Sequence, residues 1–138
     1  MWEAGAEQHE LLLEAAWLQG PLQDPDCLVT IQDADGHFLF VDPCAERVVG
    51  HPAEQLLGLR FENLLLPVDL DDARPLLALG RERLSHAVLR LRCKDDERWF
   101  HTTSMPVGDV TIVLQCPTPE PAEGRCVPSR SRMLLTTA

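Results

Sequence analysis

DCLVTIQDADGHFLFVDPCAERVVGHPAEQLLG, residues 26–58, carries the signals that decide the fold of this chain. Residues 27–33 alternate between two sets of side chains, and this period indicates a β-strand. Asp35-Gly36 follows and predicts a hairpin turn, because glycine adopts a positive φ without strain. Residues 37–41 then return as a second, antiparallel strand. The stretch therefore begins with a β-hairpin.

Prolines and glycines divide the rest of this stretch into short helices. Asp42 stands where an N-cap belongs, Pro43 suits the first helical position, and Gly50 ends the helix after about two turns. Pro52 opens a second short helix, which Gly58 ends in the same way. Two small helices therefore follow the hairpin.

A longer helix is predicted over residues 70–83, after a third short turn at 61–66. Asp69 or Asp71 can cap its start, where an acidic side chain also lies favourably in the helix dipole. Because Pro75 falls inside this helix, the helix must begin late or kink there.

Strand patterns return in the second half of the chain. Alternation of apolar and polar side chains predicts strands over 86–92, 98–105 and 110–116, with an acidic turn at 95–97. Two strands, a group of helices and three more strands are typical of an α+β domain. We therefore expect an antiparallel sheet with its helices on one face.

The flanks differ in composition from this central part. Residues 1–23 predict an N-terminal amphipathic helix (6–19) with a linker, because glutamates form one stripe and apolar side chains cover much of the rest. That helix packs either on its own sheet or on a partner chain, and the sequence leaves both open. Residues 24–117 form the predicted domain. Residues 118–138, rich in proline and without periodicity, predict a disordered tail.

Composition and charge restrict the partners. The chain has 138 residues, 45% of them hydrophobic, which is typical of a globular domain. Its net charge of -10 argues against direct binding to nucleic acid or to an anionic membrane. No segment approaches the ~20 apolar residues of a transmembrane helix. The five cysteines, an odd number without a CxxC pair, predict reduced thiols in an intracellular protein, cytoplasmic or nuclear.

Residues 24–117 resemble a PAS domain. DPDCLVTIQDADGHFLFVDPCAERVVGHPAEQLLG (24–58) is similar to the opening strands and small helices of that family, and LLLPVDLDD (64–72) to its His-Pro-Asp-Asp turn, with Leu66 and Val68 replacing the usual His and first Asp. VLRLRCKDDERWFHTTSMPV (88–107) resembles its paired third and fourth strands. The basic turn before Trp99 and the closing strand lean towards eukaryotic regulators of the white-collar and bHLH-PAS type, and away from the light-sensing LOV type.

The resemblance implies a five-stranded antiparallel sheet of order 2-1-5-4-3, with helices on one face and a core that is solid or holds a small molecule. The side chains expected to point inward are those that an ordinary core also needs. As the possible lining of an apolar cavity we predict Ile31, Leu39, Val41, Leu56, Leu64, Leu79, Leu91, Phe100, Ile112 and Leu114.

The residues predict neither a haem nor a flavin cofactor. The LOV-type branch requires a cysteine near 58–64, which is absent, so Gln115, near a flavin-contacting position of that branch, is interpreted as an ordinary polar residue. Haem-binding relatives take a histidine from the long helix, and 70–83 contains none. No metal site and no catalytic Ser/His/Asp, Cys/His or phosphate-loop arrangement is found, which argues against an enzyme. An unidentified small ligand remains possible.

The sequence therefore predicts a regulatory or sensory module that acts through protein–protein interaction, in signal transduction or transcription regulation. The alternative is a small-molecule sensor with a ligand in an apolar cavity. The expected partner is a protein, either a second copy of the chain or another PAS domain. The interface is predicted on the N-terminal helix and on the sheet face away from the other helices, and includes Leu11, Leu12, Ala15, Trp17, Leu18, Val88, Trp99, His101, Thr111 and Val113.

Overall fold

The computed structural model describes residues 26–129, which form one antiparallel sheet with helices on one face. The sheet order is β2-β1-β5-β4-β3-β6. Its strands are β1 (Leu28–Gln32), β2 (Phe38–Val41), β3 (Ser85–Arg92), β4 (Glu97–Val107), β5 (Val110–Pro117) and β6 (Val127–Pro128). The helices are α1 (Ala45–Val49), α2 (Ala53–Leu56) and α3 (Leu70–Glu82), with 3-10 turns at Phe61–Leu64 and Pro67–Asp69.

The β1–β2 hairpin forms where the sequence predicts it. Gly36 has a φ of 88° and donates its backbone N–H to the carbonyl of Asp33. The Asp33 carboxylate accepts the backbone N–H groups of Asp35 and His37, both at 2.9 Å. Local hydrogen bonds therefore fix this turn.

The short helices also lie close to the predicted bounds. The prediction of Asp42 as the N-cap of α1 is wrong, because α1 begins at Ala45 with Cys44 as its N-cap and no side-chain cap. Asp42 instead accepts the backbone N–H of Cys44 at 2.9 Å in the preceding turn, and α1 ends at Gly50 with a φ of 82°. Helix α3 begins at Leu70 and contains Pro75, so it neither begins late nor ends there. Pro75 is exposed, and its ring therefore points away from the core.

The main core lies between the helices and one face of the sheet, which we call the inner face. Leu28, Leu89, Phe100 and Val113 pack there, while the opposite side of the sheet is the outer face. Helices and turns contribute Ala45, Val48, Val49, Leu56, Phe61, Leu64, Ala73 and Leu77. Gly80 allows α3 to approach β4 closely, since an added Cβ would lie 2.6 Å from the Cβ of Ser104.

The prediction of a disordered tail beginning at residue 118 is wrong for its first part. Val127–Pro128 forms β6, which pairs with Ala87 and Val88 at the edge of β3. The backbone N–H of Ser129 donates to the carbonyl of His86 at 2.9 Å, and the side chain of Cys126 is buried in the main core. A two-residue strand held by backbone bonds and one buried thiol leaves almost no periodic signal. Residues 130–138 lie outside the described part.

The faces of β1 and β5 are the reverse of those predicted. Ile31, Ile112 and Leu114 lie on the outer face, whereas Thr111 and Val113 lie on the inner face, where Val113 joins the main core. Both strands carry apolar side chains on both faces. The alternation therefore predicts a strand but does not predict which of its faces points towards the core.

The expectation that all five cysteines are reduced is also wrong. Cys27 and Cys116 form a disulfide between adjacent strands, although 89 positions separate them in sequence. Cys44, Cys93 and Cys126 are free thiols. Over residues 26–129, no helix is both long and apolar enough to cross a bilayer.

Candidate functional site: a buried polar cluster on the inner sheet face

Six polar side chains lie buried on the inner face of the three central strands. β1 contributes Thr30 and Gln32, while β5 and β4 contribute the other four. The register of β1 with β5 and of β5 with β4 places these side chains next to one another. This inner polar cluster consists of Thr30, Gln32, Thr102, Ser104, Thr111 and Gln115, each at most 7% exposed. An interior that needs only packing is built from apolar side chains, so these six require a separate explanation.

Hydrogen bonds within the cluster are long. Gln115 Nε2 donates to Thr102 Oγ1 at 3.4 Å, and Thr102 Oγ1 donates to the carbonyl of Phe100 at 3.4 Å. Gln32 Nε2 lies 3.5 Å from Thr30 Oγ1. Good hydrogen bonds of these types are shorter, so the amide and hydroxyl groups are weakly paired.

One acceptor in the cluster has no partner. Gln115 Oε1 is the buried side-chain atom without a hydrogen bond among residues 26–129, and the Gln115 side chain is 1% exposed. A buried acceptor left unpaired costs about 1–3 kcal/mol. The cluster therefore has one buried acceptor that is free for a further hydrogen bond.

The cluster consists of neutral dipoles, with one cation near its Gln32 end. All six members are amides or hydroxyls, and the neighbouring inner-face side chains Leu28, Val113 and Phe100 are apolar. Arg81 Nη2 and Gln32 Oε1 both lie within 4.0 Å of the position that a Cβ would take at Gly36. Around Gln115 the surface is neutral. Such a surface suits an uncharged group with an N–H or O–H donor attached to an apolar body, because an isolated charge would remain uncompensated there.

The residues predicted to line a cavity divide into three groups. Val41, Leu56, Leu64, Leu91 and Phe100 belong to the main core. Leu39 and Leu79 are partly buried. Leu39 has no partner on β1, because the register of β1 and β2 shifts at that point. Ile31, Ile112 and Leu114 lie on the outer face and do not border the inner polar cluster.

The outer face holds a second apolar cluster. Val29, Ile31 and Ile112 are at most 4% exposed, and the described hydrophobic side chains packed against them come from strands alone: Phe40, Val107, Val110 and Leu114. We call these seven residues the outer apolar cluster.

The predicted interface residues are partly placed by the structure. Val88, Trp99 and His101 lie in register on the outer side of β3 and β4. Trp99 also packs on the main core and stacks under the Arg90 guanidinium, 4.9 Å from the ring centroid. Thr111 and Val113 lie inside. Leu11, Leu12, Ala15, Trp17 and Leu18 fall outside the described residues.

Arg90 is held in that position by Asp69. Its Nε and Nη2 donate to the two carboxylate oxygens of Asp69 at 3.0 and 2.8 Å. The Asp69 side chain is 3% exposed, against 24% for that of Arg90. This bidentate pair fixes the turn that precedes α3 to the edge of β3, and its role is structural.

Two histidines meet on the outer face. The rings of His86 and His101 lie 5.6 Å apart, and His86 Nδ1 is 3.0 Å from Thr103 Oγ1. Burial and the neighbouring His101 lower the pKa of His86 below its ordinary value of 6.5.

This shift predicts a pH dependence of stability. Because the unfolded chain then binds a proton more readily than the folded one, stability decreases as the pH falls below about 6.5 and levels off below the lowered pKa. We expect wild type to lose more stability between about pH 7 and about pH 5 than His86→Gln, measured by urea unfolding. Equal pH slopes in the two proteins would contradict this assignment.

Asp33, Asp35 and His37 offer ligand atoms within 4.8 Å of one another, but they are explained by the turn. Burial opposes the shift, yet hydrogen bonds from the backbone of His37 and Asp35 lower the pKa of Asp33. The Asp33 carboxylate is therefore occupied by the hairpin, and we assign no metal to this group.

Comparisons with known proteins agree with this architecture. Residues 23–116 match a family model described as the PAS fold. A search of curated proteins finds no match. Solved structures of similar fold include the following three. The PAS domain of the Cronobacter turicensis RpfR quorum-sensing receptor in complex with BDSF has a TM-score of 0.60 at 12% identity, covering 68% of this chain and 95% of that one.

The second is the PAS-B domain of Drosophila melanogaster Cycle with bound glycerol, with a TM-score of 0.57 at 20% identity, covering 66% of this chain and 99% of that one. The third is the chromophore-binding domain of Stigmatella aurantiaca phytochrome P1, with a TM-score of 0.59 at 18% identity, covering 71% of this chain and 33% of that one. At these identities the likeness shows the fold alone.

Sequence reasoning missed the inner polar cluster. The predicted faces place Thr30 and Gln32 on β1, and Thr111 on β5, on the other side of the sheet, because larger aliphatic residues alternate with them. Polar residues two positions apart, Thr30 and Gln32 on β1 and Thr102 and Ser104 on β4, are a signal in the sequence, but only the pairing of β1, β5 and β4 brings the cluster together.

Proposed function

The chain belongs to the PAS family of sensory and regulatory modules, and from this premise we propose that it senses a small, uncharged polar molecule bound against the inner polar cluster. The observation that carries the proposal is the unpaired Gln115 Oε1 in a buried group of six polar side chains. A ligand N–H or O–H satisfies this acceptor, and the ligand's apolar part packs on the main core.

Structural neighbours support a small ligand in such a fold. The Cronobacter turicensis receptor domain is bound to BDSF in one structure and to C12:0 in another. Nothing in the inner polar cluster specifies a planar cofactor, and we expect the purified protein to be colourless. The proposed activity is sensing rather than catalysis.

Binding is coupled to the shortest helices. Gly80 holds α3 directly against Ser104, so α3 leaves little freedom at that end of the cluster. α1 and α2 have five and four residues and no side-chain cap hydrogen bond. Helices this short are stable only through packing, so they are the elements that a ligand displaces at least cost. Their displacement is the proposed signal.

Gln115→Leu tests this proposal. The substitution removes the unpaired acceptor while keeping nearly the same volume, so the ligand-free variant is expected to be more stable than ligand-free wild type by about 1 to 2 kcal/mol in urea unfolding. Gln55→Leu, the same change at an exposed position of α2, serves as the matched control and should leave stability nearly unchanged. A Gln115→Leu variant less stable than wild type would show that the amide is a structural requirement.

A second candidate function is protein association through the outer face. The rim of the outer apolar cluster, which consists of Phe40, Val107, Val110 and Leu114, is only partly buried, and the described hydrophobic residues packed on the cluster belong to the sheet itself. The partner we propose is a second copy of the chain or another PAS domain, in signal transduction or transcription regulation. An intracellular location, cytoplasmic or nuclear, is part of the same proposal.

A further inference from the structure

The Cys27–Cys116 disulfide joins two strands that are already paired. β1 and β5 share five registered residue pairs, from Leu28↔Gln115 to Gln32↔Thr111. Cys27 and Cys116 continue this register by one position, with Cα atoms 4.3 Å apart, the spacing of a pair without backbone hydrogen bonds. The bond is therefore not needed to bring the strands together.

The disulfide lies where the chain enters β1 and where it leaves β5. Cys27 precedes the first residue of β1, where residues 1–25 join the described part, and Cys116 is near the end of β5, where the chain leaves towards β6. Both side chains are on the same outer face as Val29 and Leu114, and Cys116 is opposite His101 in the register. Making or breaking this bond therefore acts on the outer face and on the chain's entry to the sheet.

The other three cysteines remain thiols, so the protein combines one disulfide with a majority of reduced cysteines. Burial raises the pKa of Cys44 to about 12 and that of Cys93 to about 11, and it also raises the pKa of Cys126. Protonated thiols are poor nucleophiles. Cys93 and Cys126 also lie in the main core, on the inner side of the sheet, and Cys44 Sγ donates to the Cys27 carbonyl at 3.5 Å. The disulfide therefore lies on the opposite face of the sheet from Cys93 and Cys126.

We propose that Cys27 and Cys116 form a thiol–disulfide switch that controls the outer face of the sheet, with a dithiol of the thioredoxin class as its reductant. This proposal rests on the intracellular location proposed above, where cysteines are kept reduced and a disulfide is typically transient and regulatory. A dithiol therefore reduces the Cys27–Cys116 bond, and the corresponding disulfide oxidises the two thiols again.

The exchange balances in two steps. Because Cys27 and Cys116 are both buried, at 6% and 1% exposure, the start of β1 must first open locally. A reductant thiolate then attacks Cys27 Sγ, and the Cys116 thiolate leaves and takes a proton. The reductant's second thiol then attacks the mixed disulfide, releases Cys27 as a thiol, and leaves the reductant oxidised by two electrons. Reduction removes the covalent link between the start of β1 and the end of β5, while the backbone pairing of the two strands remains.

Thiol counting on the full chain tests the switch. The folded, air-oxidised protein is incubated briefly with dithiothreitol, quenched with acid, denatured and alkylated with a maleimide mass tag. We expect three tags before reduction and five after it, with Cys44→Ser giving two and four. Five tags on the untreated oxidised protein, or a disulfide that opens only after denaturation, would overturn the proposal; the latter result would indicate a structural bond.

A second measurement asks whether the bond controls the outer face. Hydrogen exchange of β1 and of the end of β5 should be faster in the reduced than in the oxidised protein, whereas α3, which packs on the inner face, should exchange equally in both. Cys27→Ser should exchange like the reduced protein whether or not dithiothreitol is present. Identical exchange of β1 in the two redox forms of wild type would refute a regulatory role, including if Cys27→Ser fails to fold.

Discussion

Val113→Asp is expected to lower the free energy of unfolding by about 4 kcal/mol or more, enough to unfold a marginally stable domain. Val113 is 4% exposed and packs in the main core, so the substitution places an unpaired carboxylate among apolar side chains. Circular dichroism and urea unfolding would show a loss of cooperative structure.

Leu114→Asp is the matched control, because it makes the same chemical change one residue later on the same strand. Leu114 is partly exposed at the rim of the outer apolar cluster, so we expect a loss of only about 1 to 2 kcal/mol. Sedimentation of this folded variant also tests the outer face as an association surface, where weakened association is expected. A stable Val113→Asp beside an unfolded Leu114→Asp would show that the faces of β5 are reversed.

Asp69→Ala is expected to lower the free energy of unfolding by about 3 kcal/mol, because it leaves the Arg90 guanidinium without its bidentate partner at a largely buried position. Asp96→Ala breaks the corresponding pair with Arg98, where the side chains are 51% and 49% exposed. Exposed ion pairs contribute about 0 to 1 kcal/mol, so this control should remain close to wild type. Similar losses in both variants would contradict a structural role specific to Asp69.

Local signals account for most of the fold that could be predicted. Asp35-Gly36 fixes the hairpin through its own backbone hydrogen bonds, and Gly50 ends α1 by adopting a positive φ. These features depend on a few neighbouring residues and are therefore visible in the sequence. The strand order 2-1-5-4-3 followed from the family resemblance and is confirmed, with β6 added beside β3.

What could not be predicted depends on contacts between distant parts of the chain. Leu28, Val29 and Ile31 present apolar side chains on both faces of β1, and only packing against the helices decides which face is inner. The pairing of Cys27 with Cys116 exists because β1 and β5 are neighbours in the sheet. Neither the inner face of β1 nor the cysteine pairing can be predicted from the spacing of neighbouring residues.

The candidate site shows the same limit. The sequence predicts Gln115 to be an ordinary polar residue, because a single glutamine on a strand carries no information about its surroundings. The structure shows that Thr102 lies beside Gln115 and that Gln115 Oε1 has no hydrogen-bond partner. These contacts make Gln115 a candidate site residue.

Native mass spectrometry of the full chain, after incubation with the small-molecule fraction of a cell extract, tests the central claim most directly. Sensing at the inner polar cluster predicts a non-covalent mass increment on wild type and on Gln55→Leu that is lost in Gln115→Leu. The same increment on Gln115→Leu, or wild type at its bare mass throughout, would contradict the claim.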